Sequence, residues 1–187
     1  MIRYKEKEIN KFLQASLPEE KIVYNRVIAG GLSRRRPDWL IRGTKHNVII
    51  ECDESEHYLT EESVEDERNI IMFKDLKKMP LFIIRFNPDY YEGKCCFVID
   101  KKEKSIRATS TWETRSQVLL DTIKHHLANP PDEDIIVTHL FFNKGIKKDN
   151  KVSDANEDPI EEESEEKSNQ RAFVSELMES GLGVAES

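Results

Sequence analysis

Residues 36–57 read Arg36-Pro-Asp-Trp-Leu-Ile-Arg-Gly-Thr-Lys-His-Asn-Val-Ile-Ile-Glu-Cys-Asp-Glu-Ser-Glu-His57. Two strand-like runs, Asp38–Arg42 and Asn47–Asp53, flank a turn at Gly43-Thr44-Lys45-His46, and an antiparallel hairpin is expected. In the register that pairs Arg42 with Asn47, Asp38 lies opposite Glu51. Side chains alternate along a strand, so Glu51 and Asp53 share one face while Ile50 and Cys52 take the other. Directly opposed residues have Cβ atoms about 5 Å apart. The reading therefore gathers Asp38, Glu51 and Asp53 at one place.

Like charges that close repel one another. A divalent cation resolves the conflict, and carboxylate oxygens suit Mg²⁺ or Mn²⁺. Such an ion acidifies water and stabilises charge on a phosphate, which is what phosphodiester hydrolysis needs. The flanking residues agree with that chemistry. Arg34, Arg35 and Arg36 stand just before the Pro37-Asp38 step, and guanidinium groups suit phosphate. His57, four residues past Asp53, is a candidate proton carrier. Arg68 falls in phase with the apolar face of its helix, so it points at the sheet and needs an anionic partner there. Each also has a plain alternative: a solvated arginine loop, a surface histidine in an acidic stretch, and a structural pairing of Arg68 with Asp38 or Asp89.

Outward from the hairpin, residues 3–15 read as an amphipathic helix with Ile2, Ile9, Phe12 and Leu13 near one face, closed by Pro18. Residues 21–28 have strand composition. Residues 61–78 read as a helix capped by Thr60, with Val64, Arg68, Ile71, Met72 and Met79 inward. Leu81–Phe86 is a buried strand. Residues 92–110 offer a short strand at Cys96–Ile99 and then a Lys-rich loop. Ser110-x-x-Glu113 is a capping-box signature, and it opens a helix to Asn129. The His125-His126 pair on that helix is read as surface. Ile135–Phe142 is a last strand.

Taken in order, Arg36-Pro-Asp-Trp-Leu-Ile, Val48-Ile-Ile-Glu-Cys-Asp-Glu-Ser-Glu-His57, Glu65-x-x-Arg68 and Phe82-Ile-Ile-Arg-Phe-Asn-Pro-Asp89 resemble the Vsr-like, very-short-patch-repair branch of the PD-(D/E)XK nucleases. The match runs over residues 5–90. The resemblance implies a restriction-endonuclease-like αβββαβ core, a mixed sheet flanked by helices. It implies Asp38 and Glu51 as metal ligands with Asp53 beside them, His57 as acid/base, and Glu8 as the first-helix acid with Glu6 as the alternative. It implies Mg²⁺ or Mn²⁺ as cofactor and DNA as substrate, with RNA as a further option. Asp53 stands where most of the superfamily has a catalytic lysine. The lysine's charge then has to come from His57, Arg68 or a second ion. A nuclease fold without catalysis, serving as a nucleic-acid-binding or assembly module, is the competing expectation.

Composition sets the frame. The 187 residues carry 29 Lys+Arg against 36 Asp+Glu, for a net charge of −7. Residues 146–187 hold all of that excess, and residues 1–145 balance. Local patches rather than the total set the field felt by a phosphate. A nuclease-like domain over 1–145 is expected, followed by a disordered acidic tail over 146–187. A short helix at 171–179 reads as a frayed terminal helix or, alternatively, a peptide for a protein partner. The cysteines Cys52, Cys95 and Cys96 include no CxxC pair, which argues against a zinc ribbon. No apolar signal segment or membrane-length run is present, so a soluble, intracellular protein of cytoplasm or nucleus is expected.

Overall fold

The computed structural model describes residues 4–54, 62–100 and 102–142. Helix α1 (Tyr4–Ser16) precedes strands β1 (Ile22–Tyr24), β2 (Trp39–Arg42) and β3 (Asn47–Cys52). Helix α2 (Glu62–Asp75) and β4 (Leu81–Phe86) follow, then a hairpin of β5 (Phe97–Asp100) and β6 (Ser105–Ala108), helix α3 (Ser110–Ala128) and β7 (Ile135–Leu140). The chain divides after Phe142. Residues 143–187, which hold the expected acidic tail and the 171–179 helix, lie outside the described residues, as does the Thr60 cap.

The hairpin register is the one read from sequence: Trp39 pairs with Ile50 and Arg42 with Asn47. Gly43 closes the turn, its N–H donating to the His46 carbonyl at 3.0 Å. A Cβ at Gly43 would meet that carbonyl oxygen at 2.5 Å, so no larger residue fits without a shift. The main sheet runs β1-β2-β3-β4-β7. Its β1/β2 and β2/β3 pairs are antiparallel, and its β3/β4 and β4/β7 pairs are parallel. The described residues thus form an α/β fold, with a mixed five-stranded sheet and three helices.

Period-two alternation divides the core. Leu40, Ile49, Leu81 and Ile83 face α2 and pack with Ile28, Met72, Phe73 and Leu76. Each such side chain contributes about 1.5–3 kcal/mol when fully buried. On the other face Phe86 meets Trp112 of α3, with ring centroids 6.4 Å apart. The Trp39 indole on the same face donates to Asn10 Oδ1 of α1 at 3.0 Å. At the start of α2 the inward residues are Glu65 and Arg68. Val64, expected inward, is 51% exposed because the part of the sheet facing that turn is charged.

Three other expectations change. The Lys-rich loop is half of a hairpin, with Val98 opposite Arg107 and Ile99 opposite Ile106. The capping box is absent: Thr109 is the N-cap and makes no side-chain cap bond. Its hydroxyl donates instead to the Cys95 carbonyl at 2.6 Å. His126 is buried rather than on the surface, because it follows Leu119 and Ile123 on the inward face of α3. Its ring stacks on Phe82 at 3.9 Å between centroids, and its carbonyl accepts from His46 Nε2 at 2.7 Å.

Burial pushes the His126 pKa down to about 4, with His125 and His46 adding to the effect. The unfolded chain takes up this proton near pH 6.5, whereas the folded chain resists it down to about 4. Stability is therefore lost as pH falls through that window. We expect His126→Phe to lose about 2 kcal/mol less than wild type between pH 7 and pH 4.5. Urea midpoints at the two pH values measure this, and parallel losses in both proteins would contradict it.

Candidate active site

Glu51 and Arg85 stand side by side in the β3/β4 register, two residues beyond Ile49 and Ile83 on the α2 face. The same alternation that builds the apolar core thus carries charge into the space under the first turns of α2. Glu51 is buried. Arg68 Nη2 donates to its Oε1 at 2.8 Å. Burial raises the Glu51 pKa to about 7, with Arg68 opposing the rise and the charge of Asp38 adding to it. The Asp38 backbone donates a hydrogen bond to the Glu51 carboxylate.

Asp38 is buried as well. Its Oδ2 accepts the Cys52 N–H at 2.9 Å, and its carbonyl accepts the Asn25 N–H at 2.8 Å. The aspartate is thereby fixed against both neighbouring strands. Burial and the surrounding carboxylates Glu54, Asp38, Glu6 and Asp53 raise the Cys52 thiol pKa well above its ordinary value. Cys52 is therefore no nucleophile at neutral pH.

Asp53 shares the Glu51 face, as alternation requires, but Arg85 holds it. Nε donates to Oδ2 at 2.7 Å and Nη2 to Oδ1 at 2.8 Å. Arg85 Nη1 also pairs with Glu65 of α2. Burial opposes the charge on Arg85, but Asp53 and Glu65 more than offset it and raise its pKa. From sequence, Arg85 is expected to shape the strand exit rather than touch substrate. It is instead the centre of an Asp53–Arg85–Glu65 bridge joining β3, β4 and α2. Its phase with Ile83, and that of Glu65 with Arg68, were the signals for this.

The structure brings Asp38, Glu51 and Arg68 together and gives Asp53 a cationic partner. Among the described residues no group of three His, Cys, Asp or Glu side chains is arranged to hold a metal ion. His57 lies outside the described residues.

The first-helix acid at this end of the sheet is Glu6. It is 2% exposed, in phase with Ile9 and Leu13, and its N–H donates to Glu54 Oε1 at 3.3 Å. Glu8 instead pairs with Lys11 at 2.6 Å on a more open face of the helix. Lys5, buried next to Glu6, pairs with Asp89 beyond β4. Burial raises the Glu54 pKa, and the Lys5 charge opposes it.

Arg34, Arg35 and Arg36 are exposed, directly before the buried Pro37 and Asp38. Their loop is anchored. Asp75 at the end of α2 accepts the Leu32 and Ser33 N–H groups at 2.8 and 3.2 Å. Gly31 packs so closely on Asp75 that an added Cβ would lie 2.6 Å from its Cγ. The arginines therefore stand on a loop of fixed path.

No family model matches the chain, and no curated protein matches it. A solved structure described as a refined half-complex from the tetradecameric assembly of Thermococcus gammatolerans McrB AAA+ hexamers with bound McrC is similar at 16% identity and a TM-score of 0.34. The match covers 53% of this chain and 23% of that one. A likeness that slight carries no argument about fold or function. No helix among the described residues is long and apolar enough to cross a membrane.

Proposed function

We propose that the chain is a metal-dependent endonuclease of the PD-(D/E)XK type that hydrolyses DNA phosphodiester bonds. The observation that carries the reading is the buried Asp38–Glu51 pair at the open end of the hairpin, with the Glu51 pKa raised to about 7. Two buried carboxylates whose charges repel each other are suited to a hard divalent ion. Asp38 and Glu51 would hold Mg²⁺ or Mn²⁺, with Asp53 as the third acid. When bound, the ion supplies Lewis-acid activation of water and charge stabilisation on phosphate.

The chain's own residues do the rest. Arg68 offsets the charge of Glu51 and has guanidinium donors for a phosphate oxygen. The anchored Arg34–Arg36 loop supplies exposed cations next to Asp38. Arg85 holds Asp53 on the Glu51 face through two hydrogen bonds. His57 is assigned proton transfer to the leaving group. The α-β-β-β-α-β order of elements through Phe86 is compatible with the proposal.

The test is cleavage of supercoiled plasmid in Mn²⁺ by wild type, Asp38→Asn and Glu51→Gln. Wild type should nick and linearise, and both variants should fall to background. One observation favours the second reading, a binding module without catalysis: Glu51 and Asp53 are each already bound by an arginine. Equal trace cleavage by all three proteins would establish that reading instead.

A further inference from the structure

We infer that the β5–β6 ribbon is an arm that enters the major groove of B-form duplex DNA. The inference deepens the nuclease proposal by naming the form of its substrate, and it rests on the nucleic-acid part of that reading.

The ribbon is exposed over most of its length, with Ile106 half-buried, and fixed at its root. Beyond the buried Phe97, Val98 and Ile99 are 45% and 37% exposed and lie on opposite faces. Asp100, Lys102, Lys104, Ser105 and Arg107 are exposed too. Among the described residues the two strands form a sheet of their own, with no third strand. A lone two-stranded hairpin is marginal in water, so its order has to come from the root. Phe97 packs on Trp112 with ring centroids 4.8 Å apart. Cys96 N–H donates to the Pro88 carbonyl, and Thr109 N–H to the Cys96 carbonyl, both at 2.9 Å. Pro88 is two residues past β4, so the arm leaves the body at the sheet end that carries Arg85 and Glu51.

Charge identifies the partner. In a chain of net charge −7, residues 97–108 carry four cations against two acids. Asp100 shapes the tip, where it accepts the Lys102 and Glu103 N–H groups at 2.8 and 3.0 Å. Lys102 and Lys104 suit the phosphates that line a groove. Arg107 lies opposite Val98 and shares its face, which puts a guanidinium beside an apolar contact, the pair of chemistries that reads guanine edges and thymine methyls. The B-DNA major groove, about 12 Å wide, admits a two-stranded ribbon. The A-form RNA major groove is too narrow for side chains, and a single strand has no groove.

The test uses the full-length protein in EDTA and fluorescence anisotropy. The probes are a labelled DNA duplex, an RNA duplex of the same sequence and the single DNA strand. Wild type should bind duplex DNA about tenfold or more tightly than either other probe. The K102A/K104A/R107A variant alters exposed side chains only, so its unfolding midpoint should match wild type. It should bind duplex DNA at least about tenfold more weakly, with a salt slope smaller by about 2 to 3. Val98→Glu, on the Arg107 face, should repeat the loss of affinity. Wild-type affinity in the triple variant, equal binding to duplex RNA, or no duplex binding at all would each overturn the arm. Plasmid cleavage separates the two proposals. Arm-dependent binding without cleavage removes the nuclease and keeps the arm. Cleavage that the triple variant performs as well as wild type removes the arm and keeps the nuclease.

Discussion

Glu51→Gln is expected to cut DNA cleavage on the order of 10³-fold while making the protein more stable at pH 8. Burial and Asp38 push the Glu51 pKa from 4.5 to about 7. The folded state therefore holds this proton more tightly than the unfolded chain. The resulting stabilisation is fully present below pH 4.5 and is lost as pH rises through about 7. Above that, Glu51 is a buried anion kept at a cost of about 3 kcal/mol. Glutamine has the same shape and still accepts from Arg68, but it carries no charge to desolvate. The gain should approach 2–3 kcal/mol at pH 8 in EDTA, several degrees in Tm for a domain of this size, and should shrink toward pH 5. Thermal unfolding at the two pH values, beside a cleavage assay, checks it. A Tm below wild type at pH 8 would show that Glu51 is there for structure.

Arg115→Met is expected to destabilise the domain by about 3–5 kcal/mol. Arg115 is 3% exposed. Its Nη1 donates to the Asp89 carbonyl at 2.8 Å and reaches that of Asn87 at 3.4 Å. Its Nη2 donates to the carbonyls of Tyr91 and Lys94 at 3.0 and 2.9 Å. The guanidinium also lies 5.4 Å from the Tyr91 ring centroid and 5.0 Å from that of Phe141. One side chain thus ties together four carbonyls of the 87–94 loop, two of which, those of Tyr91 and Lys94, also accept each other's N–H. Methionine fills the volume but donates to none of these carbonyls, and hydrogen bonds from a charged group contribute about 1.5–3 kcal/mol each. Arg115→Lys should recover part of the loss, because a single ammonium cannot fork to both sides. Urea unfolding of the three proteins measures the series. A loss under about 1 kcal/mol in the methionine variant would mean that the loop holds itself.

The backbone was more legible than the pairing of charges. Alternation and a four-residue turn sufficed for the β2/β3 register, and with it for the placement of Asp38 against Glu51. Helical phase also held more than was drawn from it. Glu6 follows the Ile9–Leu13 face, and His126 and Arg115 follow the Leu119–Ile123 face. For His126 the polar residue type argues for the surface and the periodicity for burial, and the periodicity holds. Asp53 is different in kind. Sequence gives the face of a carboxylate but not which of Arg85, Arg68 or a metal ion it meets there, since those alternatives come from three separate elements. Lys5 and Asp89 meet across the fold from positions 84 residues apart, and no local pattern announces such a pair. Thr109 displaced Ser110 as the N-cap because its hydroxyl ties the root of the ribbon to Cys95.

Calorimetric titration of Mn²⁺ into the metal-free protein at pH 8, beside Asp38→Asn, tests the account at its base. Wild type should give a saturable heat that the variant lacks, with both proteins equally folded by circular dichroism. Flat titrations for wild type, or identical uptake by the two, would contradict a divalent-ion site between β2 and β3.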